Sequence, residues 1–306
     1  KSSHLFTKKN ICEISEYLNA RCEPFFSQDL RTRLLAEDCD LVLTQGFIAA
    51  NKQQETVLLG RGGSDTSAAY FSVLLGAKRL DIWTDVPGIF TSNPREIEAA
   101  RLLKSLSYDE AQELATSGAK VLHPNCLVPL KEHKISCAIF STKQPNIQGT
   151  VISAKASETA EVKAILTRKN IFLISMQSLS MWQEAGFLEK IFAAFKRYNI
   201  SIDLIATSQS EVTVSLDKTS SLFEKKKLDF LLEELSSFCL TSFKGPFSAI
   251  SLVGQNIRSI LHKIGSKLTA FEEKKVHLIS QSASNLNFTF IVSESDASKI
   301  TRPAPP

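Results

Sequence analysis

The stretch from Val57 to Phe90, VLLGRGGSDTSAAYFSVLLGAKRLDIWTDVPGIF, decides the fold. Thr56-Val57-Leu58-Leu59 is an apolar run of strand length, and Thr66 to Leu75 is a longer one with no breaker until Gly76. The first predicts a buried strand and the second a helix closed by a left-handed glycine cap. Leu80-Asp81-Ile82-Trp83 predicts the next strand, and upstream Asp40-Leu41-Val42-Leu43-Thr44 predicts another buried one. Strand, glycine-rich turn, helix and strand in succession make a βαβ unit. The fold class that follows is α/β, a mainly parallel sheet with helices on both faces.

The connection Gly60-Arg61-Gly62-Gly63-Ser64-Asp65 carries more chemistry than a turn needs. A helix start bare of side chains opens its N–H groups to an anion at close range. Arg61 adds a forked donor suited to a carboxylate, while Ser64 and Asp65 can cap the helix or serve a site. On these residues alone, a plain capped turn and an anion-binding loop stand equal. After the next strand, Thr84-Asp85-Val86-Pro87-Gly88-Ile89-Phe90 leads to Asn93-Pro94-Arg95. Taken singly, this is a proline–glycine turn. Ligands of open α/β sheets gather beyond the carboxyl ends of strands, however, which places both loops at one crevice. A further helix opens on the capping box Ser107-Tyr108-Asp109-Glu110 and runs to Ser117, before Gly118.

A chain of 306 residues with 43% hydrophobic content is long enough for about two packed domains. Its net charge of +4 forms no dense basic stripe, which argues against nucleic acid and for small-molecule partners. The Lys225–Lys227 run reads as a solvated helix face. No apolar stretch approaches the ~18 residues of a membrane span, and the first residues lack the pattern of a secretory leader. A cytoplasmic protein without membrane contact is expected. The six cysteines, Cys12, Cys22, Cys39, Cys126, Cys137 and Cys239, show no C-x-x-C pair and no metal-like spacing with histidine. They read as reduced, mostly buried thiols. His4, His133, His262 and His277 have no partner pattern, so neither a metal set nor a Ser-His-Asp set is expected.

Beyond Gln148-Gly149-Thr150 the texture changes, and a repeat emerges with a spacing of 76 residues. Ile174-Ser175 recurs as Ile250-Ser251, Ala194-Phe195 as Ala270-Phe271, Ile200-Ser201-Ile202 as Val276-His277-Leu278, and Val212-Thr213-Val214 as Phe288-Thr289-Phe290. Each copy reads strand, helix, strand, strand, with Phe187, Leu188, Ile191, Phe192 and Phe195 as the apolar stripe of the first helix.

Gly60–Asp65, Asp81–Ile89, Asn93-Pro94-Arg95 and Gly118-Ala119-Lys120-Val121-Leu122-His123-Pro124 together resemble the aspartate kinase (aspartokinase) family, whose members phosphorylate the side-chain carboxylate of aspartate. The resemblance runs from about Leu41 to Thr150, with Leu41–Ile48 similar to a family strand and turn lining the site, and the repeat behind it resembles the family's paired ACT regulatory modules. It implies an amino-acid-kinase fold over residues 1–155 and two α+β ACT-like modules at 160–245 and 246–306. The implied reaction is ATP-dependent phosphorylation of L-aspartate to 4-phospho-L-aspartate with Mg2+, the first step toward lysine, threonine and methionine. By resemblance, Arg61, Gly62, Gly63 and Ser64 would hold aspartate, and Asp65 would orient the lysines that steady the migrating phosphoryl group. Thr84, Asp85, Phe90, Arg95 and Lys120 would lie along the nucleotide, with Lys120 and Arg95 stabilising charge. His123 is expected to be structural rather than a general base, because a carboxylate needs no deprotonation near neutral pH.

Departures from the family pattern set further expectations. The family's Lys-Phe-Gly-Gly-Thr-Ser opening is absent, so the chain is expected to begin inside the kinase domain and to be inactive alone. Phe90 stands where the family commonly has tyrosine, which keeps a ring contact and loses a hydroxyl, and Ser298–Pro306 stops where the family continues into a helix, so a truncated or altered end is expected. For the effector, most simply lysine, the resemblance implies contacts at Met181, Phe187, Leu188, Ile202, Asp203, Ser208 and Glu211. Asp203 or Glu211 would pair with its ammonium, and N–H groups near Gly186 and Phe187 would take its carboxylate. Glu184, Ala185 and the inserted Gln209-Ser210 depart from relatives, which leaves threonine or no effector open. Homodimers or larger assemblies through the modules are implied. The alternatives are a sensing chain without catalysis and another amino-acid kinase of the same fold.

Overall fold

A computed structural model describes residues 6–7, 17–22, 27–36, 40–155, 162–178, 185–217, 225–257, 274–281 and 284–301. Cys12, Cys39, His4, His262, Met181, Glu184, the pair Ala270-Phe271 and the tail beyond Thr301 lie outside the described residues. The chain divides into two units, Lys1–Ala164 and Ile165–Pro306.

In the first unit, β1 (Phe6–Thr7), β2 (Ile48–Asn51) and β3 (Thr56–Leu58) form one sheet, with β1 parallel and β3 antiparallel to β2. A second sheet is built from β4 (Arg79–Thr84), β5 (Ser105–Ser107), β6 (Ser136–Ser141) and β7 (Thr150–Ser153) in the order β4-β6-β7-β5. There β4 is parallel to β6 and β5 to β7, while β6 and β7 are antiparallel. The helices are α1 (Gln28–Ala36), α2 (Gly63–Leu75), α3 (Tyr108–Ser117) and α4 (Pro124–Glu132).

The expected strand–helix–strand succession is present as β3, α2 and β4, but the two strands lie in different sheets; the first sheet is mixed, and the second is mainly parallel, with two of its three pairings parallel. The cause is local. Asn51 accepts N–H bonds from Gln53 and Glu55 at 3.0 Å each on its side-chain oxygen, and its own N–H reaches Glu55 O at 3.0 Å. This side-chain-mimicked turn folds β3 back on β2, and Ala20 N bonds Leu58 O at 2.8 Å, so the β3 backbone is already engaged. The strand expected at Asp40–Thr44 does not form: Leu41 and Leu43 are 83% and 95% exposed, and among the described residues no strand pairs with them. Without such a partner, an apolar run has nothing to fix it as sheet.

Helix α2 begins at Gly63, three residues before the expected start, and ends on Gly76 in the left-handed conformation (φ 65°). Its Tyr70 and Leu74 pack with Val57, Leu59, Ala49, Leu30 and Ala20 in one core. The capping box of α3 forms as expected, with Glu110 N donating to Ser107 Oγ at 3.2 Å and Ser107 N to Glu110 Oε2 at 2.8 Å. Glu110 has a further partner that nothing in the sequence announced: Lys163 Nζ lies 2.9 and 3.0 Å from its two carboxylate oxygens. Burial pushes the Cys22 thiol up to about 11 and the Cys137 thiol up to about 12. The described cysteines are free, as the reduced-thiol reading expects, with Cys126 and Cys137 buried.

The second unit contains one six-stranded sheet, to which each repeat copy contributes three strands. The first copy runs β8 (Val162–Gln177), α5 (Phe187–Arg197), β9 (Ile205–Thr207), β10 (Glu211–Asp217), and the second supplies β11 (Leu240–Gly254), β12 (Leu278–Gln281) and β13 (Asn287–Ser293). The sheet order is β12-β13-β11-β8-β10-β9. Between the copies lies α6 (Lys225–Ser236), and α7 (Glu294–Thr301) follows the last strand. The repeat is chemical as well as topological. Ser175 bonds Thr213 across the strands at 2.7 Å and Ser251 bonds Thr289 at 2.8 Å, while each threonine donates to the residue two before it, Glu211 or Asn287, at 2.9 Å. Helix α5 buries Phe187, Ile191, Ala194 and Phe195; Leu188, included in the expected stripe, faces solvent because one residue is a 100° step around the helix.

Candidate active site

Gly62 caps α2 in a left-handed conformation (φ 68°) with no side-chain hydrogen bond of its own. A Cβ at Gly62 would lie 2.2 Å from the Cβ and Cγ of His123, so the imidazole rests against this bare backbone. Gly63 is equally confined, a Cβ there meeting Phe47 at 2.7 Å and Leu59 at 2.9 Å. The turn closes through Gly63 N to Gly60 O at 3.1 Å and Thr66 N to Gly62 O at 2.9 Å. Arg61 and Ser64 remain exposed beside it. The first turn of α2 is thus a helix N-terminus without a side-chain stopper, flanked by a guanidinium, which is a geometry that receives anions.

Asp65 ties this turn to a second one. Its Oδ2 accepts the His123 N–H at 3.1 Å. Burial raises its pKa above the usual 3.8, opposed by that hydrogen bond and by the His123 imidazole. For His123 burial works the other way, lowering its pKa below 6.5, with Asp65 opposing and Arg61 adding to the effect. His123 is also the N-cap of α4, its Nδ1 accepting from Asn125 N at 3.3 Å. Lys120 is exposed on the turn between Gly118 and Leu122 that precedes this cap. The turn Gly46-Phe47 completes the border: Phe47 N donates to Ser67 Oγ at 3.0 Å, and a Cβ on Gly46 would meet Ser64 Cα at 3.3 Å. Of the Leu41–Ile48 segment expected to line the site, this turn touches α2 and the exposed residues before it form no strand.

The second cluster stands at the end of β4. Thr84 O accepts from Thr142 N at 2.8 Å and from Thr142 Oγ1 at 3.0 Å, while Thr84 Oγ1 reaches Asp85 at 3.4 Å. Arg95 approaches Asp85 at 3.9 Å, both groups exposed, and Arg95 N bonds Asn93 Oδ1 at 3.1 Å. Phe90 is half-buried and bridged to Leu102. The residue that positions this loop was missed in the sequence. Fully buried Thr150 accepts from Ile89 N at 2.9 Å and donates to Leu103 O at 2.6 Å. Gly88 and Gly149 permit the approach, since a Cβ on Gly88 would lie 2.2 Å from Thr150 Oγ1 and one on Gly149 1.7 Å from Ile139 O. The only trace in the sequence was the pair Gly149-Thr150 itself. Burial, followed by the charges of Asp65 and Asp81, raises the thiol of Cys137.

In the second unit, Phe187 lies in the core of the first copy with Ile202 packed against it, Leu188 is exposed, and Ser208 N bonds Glu211 O at 2.8 Å. Gly186 (φ 94°) caps α5 without a side-chain bond. Asp203 already has a cation: Arg168 lies 2.7 Å away and also approaches Asp217 at 3.5 Å, while Ser215 donates to Asp203 at 3.3 Å. The sequence reading did not identify Arg168.

The profile of the Amino acid kinase family matches residues 2–141. Over 264 residues the chain is 37% identical to lysine-sensitive aspartokinase 3 of Escherichia coli K12, covering 86% of this chain and 59% of that protein. An aspartokinase of Rickettsia felis is 34% identical over 83% of this chain and 63% of its own length. A crystal structure of E. coli aspartokinase III in complex with aspartate and ADP superposes with TM-score 0.81 at 33% identity, over 97% of this chain and 66% of that one. The chain is similar to aspartokinases over most of its length. Its first unit has the amino-acid-kinase fold, and its sheet-rich second unit is ACT-like. The same E. coli enzyme in complex with lysine and aspartate (T-state) matches with TM-score 0.76 at 32% identity. The chain spans 59% and 63% of the lengths of the two relatives named first.

Proposed function

We propose that the protein carrying this chain transfers the terminal phosphoryl group of ATP to the side-chain carboxylate of L-aspartate, yielding 4-phospho-L-aspartate and ADP, in the cytoplasm. The observation that carries this reading is the bare glycine cap of α2, flanked by Arg61 and clamped through Asp65 and His123 to the turn that presents Lys120. In this reading, Arg61 and the N–H groups of the first turn orient aspartate, whose side-chain carboxylate is ionised near pH 7 and attacks without a general base. As the new oxygen–phosphorus bond forms, the bond to the bridging oxygen breaks and its electron pair leaves with ADP. Lys120 and Arg95 offset the charge of the migrating group, and Phe90 offers its ring to the nucleotide. Mg2+ would arrive on the ATP phosphates and supply charge neutralisation there. The aspartate and ADP held by the E. coli neighbour support this assignment.

Control by an amino acid, most simply L-lysine, belongs to the same reading, with Asp203 or Glu211 as the ammonium partner and pairing of modules between subunits. The lysine-sensitive relative and the lysine-bound neighbour support it. Calorimetry of the chain with L-aspartate in the presence of Mg-ADP tests the assignment. Arg61→Ala should weaken aspartate at least ~tenfold, the scale of one charge-assisted anion contact, with an unchanged melting temperature. Unchanged aspartate affinity in that variant would refute it.

A further inference from the structure

Helix α3 is held at its two ends by different means. At its start, the Glu110 carboxylate closes the capping box on Ser107 N and at the same time binds Lys163 Nζ, with both side chains 1% exposed. At its end, Gly118 turns the chain (φ 121°), and Ala119 N returns to Leu114 O at 2.9 Å, so the Lys120 turn hangs directly from the last turn of α3. Three residues after Lys120, His123 caps α4 and meets Asp65. Lys163 belongs to none of these elements. It lies at the second position of β8, the 16-residue strand that continues past Ala164 into the second unit.

A lysine without solvent costs several kcal/mol unless an anion and hydrogen bonds compensate it, and a carboxylate in the same place carries the same requirement. Apolar side chains would fill that space more simply. What an ion pair adds is directionality: Glu110 must keep both its backbone and its lysine partner, so the rotation and depth of α3 are defined by where β8 delivers Lys163. A helix is rigid over ten residues, and a change at its first turn moves its last one.

We propose that Lys163 is a positioning residue for phosphoryl transfer: from β8 it fixes α3 through Glu110, and thereby the placement of Lys120 at the nucleotide. This rests on the reading of the Lys120 turn as nucleotide-binding. Aspartate, held by the α2 turn, depends on α3 far less. The test is calorimetry of the full 306-residue chain with Mg-ADP and, separately, with L-aspartate. Lys163→Met, measured well below its melting temperature, should weaken Mg-ADP by ~tenfold, within the range expected when a remote change misplaces a charge by a fraction of an ångström, while aspartate changes less than twofold. Lys163→Arg, which keeps the cation, should recover most of the loss. Wild-type Mg-ADP affinity in folded Lys163→Met, or equal weakening of both ligands, would overturn the proposal. If Lys163→Met does not fold, the double variant Glu110→Gln/Lys163→Met, which leaves no buried charge and keeps a capping-box residue, is read by the same criteria. No Mg-ADP binding by the unaltered chain would instead remove the nucleotide reading itself.

Discussion

In the first unit Glu110 and Lys163 meet with both side chains 1% exposed, whereas in the second Arg168 and Asp203 meet with 14% and 27% still in reach of solvent. The two pairs have similar lengths, 2.9 and 2.7 Å, so distance does not distinguish them. Solvent does. A charge sealed from water has no substitute partner, and its loss leaves the other charge stranded. A charge that water and salt can reach exchanges partners at small cost. The first kind suits a fixed catalytic scaffold. The second would suit the proposed effector surface, where an ammonium group would have to compete with the Arg168 guanidinium for Asp203.

The contrast is broken most directly at Glu110. Glu110→Ala should cost ~3–5 kcal/mol in urea unfolding of the first unit, the penalty of an uncompensated buried lysine. A loss below 1 kcal/mol would mean that water reaches Lys163 and that the two pairs are alike. Thr150→Val ranks next. It removes an acceptor from Ile89 N and a donor from Leu103 O, both buried, and should cost ~1–3 kcal/mol, with weaker Mg-ADP binding as the Val86–Phe90 loop loosens.

Acid sharpens the comparison further. His123 has a native pKa below 6.5, so the unfolded chain takes up a proton first as pH falls. The stability that neutral His123 contributes is therefore present above pH 6.5, declines as pH drops below it, and is gone once the lower native value is passed. Raised Asp65 acts in the opposite sense in a more acidic window, where the native state binds its proton first. Melting temperatures between pH 7.5 and 5.5 should fall less steeply for His123→Asn, which can still cap α4, than for the parent. Equal slopes would show that His123 does not carry this dependence; lowered His277 in the second unit contributes its own share in both proteins. The smallest effect is expected at Asp203. Asp203→Asn should change stability by less than ~1 kcal/mol and less still in high salt, yet remove the heat of lysine binding. A large stability loss would place this pair with the first.

Where sequence and structure agree, the signals are local. Gly76 ends α2 and the capping box starts α3 because a left-handed cap and a reciprocal N-terminal bond need only neighbours in the chain. The 76-residue repeat was legible for a similar reason, as each strand carries its own alternation, and the paired Ser–Thr bonds recur at the same spacing. The glycines of residues 60–63 announced an unusual turn, although their reason, the His123 ring against Gly62, lies 61 positions downstream.

Other features required partners that no local pattern names. Leu41-Val42-Leu43 has the composition of a strand and none of the pairing, because sheet stability resides in a neighbour's backbone rather than in the run itself. Separation of β3 and β4 into two sheets depended on the Asn51 turn and on Ala20. Thr150, Arg168 and Lys163 are ordinary residues in the sequence, and folding gave each its role by setting it against a specific carbonyl, amide or carboxylate. Helix ends, turns and periodicity follow from interactions within a few residues, which the order of amino acids determines directly. Which charges are sealed from water, and which loops are fastened to which helices, follows from contacts between distant segments, and burial, the quantity that sets their energies, exists only after the chain has packed.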